Sequence, residues 1–237
     1  MLPLWDAEPH RRSPVATTLL IAINLAVFAY EVALAMESPR EILAFIHAHA
    51  LVPSMFVHAL NGLFQHDALQ PRRLEILSTA VTSMFLHGGV AHVVGNCWFL
   101  WVFGRNVEAR LGFWKFILFY LLCGFAAAGA QIAFNPAETG PMLGASGAIS
   151  GVLGAYLMLY PLNWIYTLVP WFVPIIPIPA LIFLIIWFAF QAVTGLGSLL
   201  NAEDAPGGVA WWAHIGGFLS GVVLLLLAKQ ARWVRSR

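Results

Sequence analysis

GASGAISGVLGAYLMLY, residues 144–160, decides how this chain folds. A serine stands between small residues at the head of an apolar run, and Pro161 ends that run fifteen positions later. Gly147 and Gly151 are four apart, so a helix carries both on one face, with Gly154 nearby. Small residues in that pattern let a second helix approach backbone to backbone. At 1.5 Å per residue the run reaches only about 22 Å, short of the roughly 30 Å hydrocarbon core of a bilayer. Inside a membrane its serine end would be sunk below one surface. Non-helical backbone at that depth is tolerated only beside protein or a water-filled cavity.

The composition makes the membrane the expected solvent. Of the 237 residues 60% are hydrophobic and 10% charged, and the mean hydropathy is +0.80. Five further apolar runs cover residues 15–36, 76–104, 113–134, 175–196 and 209–228. The first has spanning length, longer than a signal-peptide core, so it reads as a retained helix. The predicted fold class is all-α: a polytopic membrane protein of six spans. Residues 37–75 form a long interfacial loop between the first two runs, with amphipathic pieces at 41–50 and 54–64. Residues 1–14 and 229–237 read as tails on either side of a bundle over 15–228.

Charge orients the bundle. Nine of the twelve Lys and Arg fall on one side: Arg11, Arg12, Arg105, Arg110, Lys115, Lys229, Arg232, Arg235 and Arg237. Arg40, Arg72 and Arg73 fall on the other. Basic excess marks the cytoplasmic face, so both termini are expected inside. Glu138, Glu203 and Asp204 lie in outer loops on this reading. A net charge of +1 argues against nucleic acid. Cys97 and Cys123 read as small buried hydrophobes, and no spacing calls for a metal or cofactor.

Few polar groups interrupt the runs: His87, His92 and Asn96 in the second, Ser146 at the head of the fourth, His214 in the sixth. Such groups are costly at membrane depth and mark function. Counted from the inner boundary, Ser146 lies fifteen positions above Pro161, His214 fifteen above Lys229 and His92 thirteen above Arg105. All three therefore share a layer roughly 20–22 Å above the inner face. Ala213, Gly217 and Gly221 form a small-residue stripe that would bring the sixth helix against the fourth. Ser146 then comes within reach of His214. A hydroxyl needs an adjacent base to become a nucleophile, and histidine is the usual one. Glu31 is the only carboxylate well within a span and lies near its outer end, so a Ser–His dyad is expected, without an acidic third member. His92 and Asn96, spaced i and i+4, share a face. With the Ser146 N–H at a helix N-terminus they make a plausible oxyanion hole.

These residues resemble the rhomboid intramembrane serine proteases. The resemblance rests on G-A-S-G at Gly144–Gly147, H-V-V-G-N at His92–Asn96 and A-H-I-G-G-F-L-S-G at Ala213–Gly221, in that order, within residues 15–228. It implies Ser146 as nucleophile and His214 as base. It implies His92 and Asn96 as oxyanion donors, with Gly144 among the oxyanion and substrate-binding residues. His87 matches a histidine near the cavity entrance. Implied substrates are single-span membrane proteins, cut near the outer end of their transmembrane segment where helix-weakening residues let the chain unwind. The implied gate is the fifth helix and the loop before the sixth. The implied setting is a bacterial inner membrane, with the site opening outward, in the minimal six-helix form. One departure is the lack of a Trp-Arg pair in the first loop, which bears on how that loop is anchored.

Other readings fit these residues less well. G-A-S-G-A is not the G-x-S-x-G elbow, because its second glycine comes one position early and no strand precedes it. N-P-A at Asn135–Ala137 occurs once, without the repeat of a water channel. Ser150 lies about 6 Å deeper than Ser146 and away from the helix N-terminus. An inactive relative that binds transmembrane clients is the alternative function, although such relatives typically lack the serine or the histidine. A proton-relaying transporter is a third.

Overall fold

The computed structural model describes residues 1–8, 13–62, 71–169, 173–200 and 210–235. Arg11, Arg12, Glu203, Asp204, Arg237 and the loop over 201–209 lie outside them. Among the described residues the first eight helices are α1 (Val15–Glu37), α2 (Pro39–His49), α3 (Pro53–Gly62), α4 (Pro71–Thr82), α5 (Val90–Phe99), α6 (Arg105–Leu111), α7 (Phe113–Phe134) and α8 (Ser146–Leu159). Helices α9 (Ala180–Leu200) and α10 (Trp211–Gln230) complete the helical set among the described residues.

Helix α8 is the core of the bundle, with every residue from Gly147 to Tyr156 buried. Helices α10 and α7 pack along it. The glycine stripes make this possible. A methyl group on Gly217 would collide with the carbonyl of Gly147, and one on Gly221 with the carbonyl of Gly151. The backbones therefore touch, as Gly147/Gly151 and Gly217/Gly221 require.

Each of the six apolar runs carries a helix. Three, Val15–Glu37, Phe113–Phe134 and Trp211–Gln230, are long and apolar enough to cross a membrane. Ser146–Leu159 is apolar but shorter.

The second run departs from a single helix over 76–104. Its two halves, Pro71–Phe85 and Val90–Leu111, meet at 77°. The break falls at Leu86–Gly89, where Gly88 and Gly89 offer weak helix propensity. Beyond the break the helix continues past Arg105 through a π segment, Leu100–Gly104, and ends at Gly112, whose φ is +83°. His92 thus sits in the first turn of a new helix, and Arg105 is not the boundary from which its depth is measured.

The fold is not purely α. Strands β1 (Leu2–Asp6), β2 (Trp164–Val169) and β3 (Val173–Pro179) form an antiparallel sheet in the order β1-β2-β3. Pro174, Pro177 and Pro179 lack amide donors and hold their predecessors extended. Residues 175–179 therefore join edge strand β3, and the fifth helix starts at Ala180. Within residues 37–75 the amphipathic pieces expected at 41–50 and 54–64 are the helices α2 and α3, and α4 starts at Pro71; each begins at a proline, a favoured first helical residue. Ser38 caps α2 by accepting the Arg40 N–H at 3.1 Å.

Two buried carboxylates tie distant segments to the core. Glu108 accepts the Ala16 N–H at 2.9 Å and the Thr17 N–H and hydroxyl at 2.8 Å each, capping α1. The Asp6 carboxylate accepts from Asn106 and, at 2.8 Å, from the Tyr156 hydroxyl, pinning β1 beneath α6 and α8.

Candidate active site

Ser146 opens α8, and its N–H lies in the first turn, where no intrahelical carbonyl reaches it. His214 lies one turn into α10. The backbone contact between these helices sets the two side chains against each other: His214 Nε2 is 2.7 Å from Ser146 Oγ. That is a full-strength hydrogen bond. His214 is buried, while Ser146 is partly exposed. Trp187 and Trp211 flank the imidazole, each with a ring centroid 6.2 Å away. Ser150 is not part of this pair. It is buried and donates its hydroxyl to the Ser146 carbonyl at 2.7 Å.

Gly144 holds the approach to the serine. Its φ of +123° is open to glycine and strained for other residues. Its N–H donates to the Ser83 carbonyl at 2.8 Å, fixing the turn against the segment before the helix break. A Cβ on Gly144 would lie 2.7 Å from His92 Nε2 and 3.7 Å from Asn96 Nδ2. Both side chains of the i, i+4 pair therefore face the backbone just ahead of Ser146. The Gly88 N–H donates to His92 Nδ1 at 3.4 Å. A neutral imidazole accepting at Nδ1 carries its hydrogen on Nε2, the nitrogen turned toward Gly144. Asn96 Nδ2 is buried with no partner among the described residues. An unpartnered buried donor is rare and asks for an acceptor. The two groups present unused N–H donors to one small volume.

A cavity of about 20 Å³ lies on another side of the serine, against Ser83, Gly144, Ser146, Gly147 and Ala213; His92, Asn96 and His214 do not line it. It is large enough for roughly one water.

His87 stays outside the pair. It lies in the segment between the helix halves, 5.2 Å from the His92 ring by centroids, and is buried. Its own backbone N–H donates to both oxygens of Glu31 at 3.2 Å. Glu31, set aside as a partner for the base, thus anchors the His87 segment to α1.

One group at the site went unread in the sequence. Gln191, buried on α9, places its Oε1 2.9 Å from His214 Nδ1. The signal was present: it is a strongly polar residue inside an apolar run, the same criterion that singled out His214. Among the described residues no carboxylate hydrogen-bonds His214, and no three His, Cys, Asp or Glu side chains group to hold a metal.

The chain is similar to known proteins. The Rhomboid domain matches residues 75–231, a range containing Ser146, His214, His92, Asn96 and Gly144. RHOMBOID-like protein 6, mitochondrial, of Arabidopsis thaliana is 31% identical over 161 residues, 66% of this chain and 46% of that protein. Presenilin-associated rhomboid-like protein, mitochondrial, of Rattus norvegicus is 28% identical over 209 residues, 83% of this chain and 51% of its own. Rhomboid protease GluP of Bacillus subtilis is 43% identical over 77 residues, 32% of this chain and 15% of that protein. The chain spans about half or less of the length of each of these relatives. The match over two thirds of the chain, with the serine, histidine and asparagine set inside it, makes the chain a member of the rhomboid family.

Proposed function

We propose that the chain is an intramembrane serine endopeptidase acting through Ser146 and His214. The observation that supports this best is the 2.7 Å contact between Ser146 Oγ and His214 Nε2, with the side chains of His92 and Asn96 against the Gly144 backbone just ahead of the serine. A serine made nucleophilic by an adjacent base, beside preset oxyanion donors, is the equipment for acyl transfer. Ser146 Oγ attacks a backbone carbonyl as its proton passes to His214 Nε2. The carbonyl oxygen takes up negative charge against His92 Nε2–H, Asn96 Nδ2–H and the Ser146 N–H. The C–N bond breaks as His214 gives its proton to the leaving amine. Water then attacks the acyl ester, with His214 accepting its proton and returning it to Ser146.

The buried site implies substrates that are themselves membrane-embedded: single-span proteins whose transmembrane segment unwinds near its outer end. The basic bias of the inner loops supports both termini in the cytoplasm, with six spans in all and the site open to the outer side. A bacterial inner membrane is the proposed setting.

A fluorophosphonate probe tests the reading directly. The protein in membranes should be labelled, and Ser146→Ala should abolish labelling while leaving Ser150 in place. An unlabelled wild-type protein would overturn it and favour a relative that binds transmembrane clients without cutting them.

A further inference from the structure

We propose that Gln191 is a positioning residue that holds the His214 imidazole in the one tautomer able to serve as base; this rests on the protease reading of the same site. His214 Nδ1 lies 2.9 Å from Gln191 Oε1, and both side chains are buried. An amide oxygen only accepts, so this contact requires the ring hydrogen on Nδ1. The lone pair is then on Nε2, which faces Ser146 Oγ at 2.7 Å. In the other tautomer Nε2 carries the hydrogen and donates to the hydroxyl, and it has no lone pair with which to take the serine proton. Without Gln191 the Nδ1–H would be a buried donor facing Trp187 and Trp211, whose rings offer no oxygen acceptor. The neutral amide thus fills the orienting place that a carboxylate takes in a serine triad. It arrives from a helix that carries neither member of the dyad. The bond therefore couples the base on α10 to the seating of α9. Withdrawing α9 by about 1 Å would take Oε1 beyond hydrogen-bond distance.

The test uses the full chain, purified in detergent, with ¹⁵N-labelled histidine. The resonances of His214, identified by their loss in His214→Ala, report which ring nitrogen is protonated. The expected wild-type result is Nδ1–H, with Gln191→Leu shifting the population toward Nε2–H. In parallel, Gln191→Leu should slow fluorophosphonate labelling by about 10- to 100-fold, the scale of one unsatisfied buried donor. Its melting temperature should fall by a few degrees, as one unsatisfied buried donor implies, with the fold kept. Gln191→Glu keeps an acceptor oxygen and should label faster than Gln191→Leu. Protonation of wild-type His214 on Nε2, full-rate labelling of Gln191→Leu, or Gln191→Glu no better than Gln191→Leu would each overturn the proposal. An unlabelled wild-type protein would instead sink the protease reading, and the tautomer measurement would still decide the role of Gln191. The same measurement on wild type serves if Gln191→Leu does not fold.

Discussion

The backbone of Gly221 on α10 lies against the carbonyl of Gly151 on α8, with no room between them for a methyl group. One turn along α10, Gly217 meets the carbonyl of Gly147 in the same way. This contact is the mechanical basis of the site, because Ser146 and His214 ride at the same end of these two helices. Gly221→Ala should force the helices apart. Overpacking of this kind costs about 1–3 kcal/mol, seen as a lower melting temperature in detergent together with slower probe labelling. Gly129→Ala is the control. It lies in α7 with nothing within 4 Å of a new Cβ, and should hold or raise stability by up to about 1 kcal/mol through helix propensity.

Asn96 is set apart from a packing residue by its unused amide. If it donates to the oxyanion, Asn96→Ala should lower the rate by about 10²–10³ while the protein stays folded. His92→Ala should do the same. Substrate cleavage and melting curves measured together check this. Equal losses of folding and of rate would assign both side chains to packing instead.

Gly144→Ala is expected to be more damaging than its size suggests. The new Cβ would sit 2.7 Å from His92 Nε2, and a φ of +123° costs a non-glycine residue roughly 1–2 kcal/mol. The His92 imidazole must then move away from the Gly144 backbone. Probe labelling should fall sharply, with a smaller loss of thermal stability.

Glu108→Ala should separate stability from chemistry. It leaves the Ala16 and Thr17 N–H groups and the Thr17 hydroxyl without the carboxylate they donate to. Hydrogen bonds to a charged group are worth about 1.5–3 kcal/mol, so the melting temperature should drop markedly. Labelling of the protein that remains folded should proceed at the wild-type rate, because Glu108 has no contact with the dyad.

Much of the bundle was legible because its signals are local or periodic. The run over 113–134 is read to the residue, and that over 15–36 to within one. The glycine spacings on α8 and α10 announced which helices touch, and hence that Ser146 and His214 would meet. The errors have physical causes. Hydropathy does not register a bend, so Gly88 and Gly89 passed unseen inside an apolar run. Residues 175–179 are isoleucine and proline within an apolar run, and the missing amide donors of Pro177 and Pro179 keep them out of the helix.

The order of residues by itself determined that the chain is an apolar helix bundle with a serine at a helix mouth and a histidine carried by a glycine-striped partner. Those features follow from hydrophobicity and small-residue spacing, which act within one helix at a time. Only the tertiary structure decided that Gln191 reaches His214, that Glu31 holds the His87 backbone, and that β1 joins a sheet with β2 and β3. Each of these depends on how one element is rotated or placed against another. That rotation is set by the packing of the whole core, and no spacing along the chain encodes it.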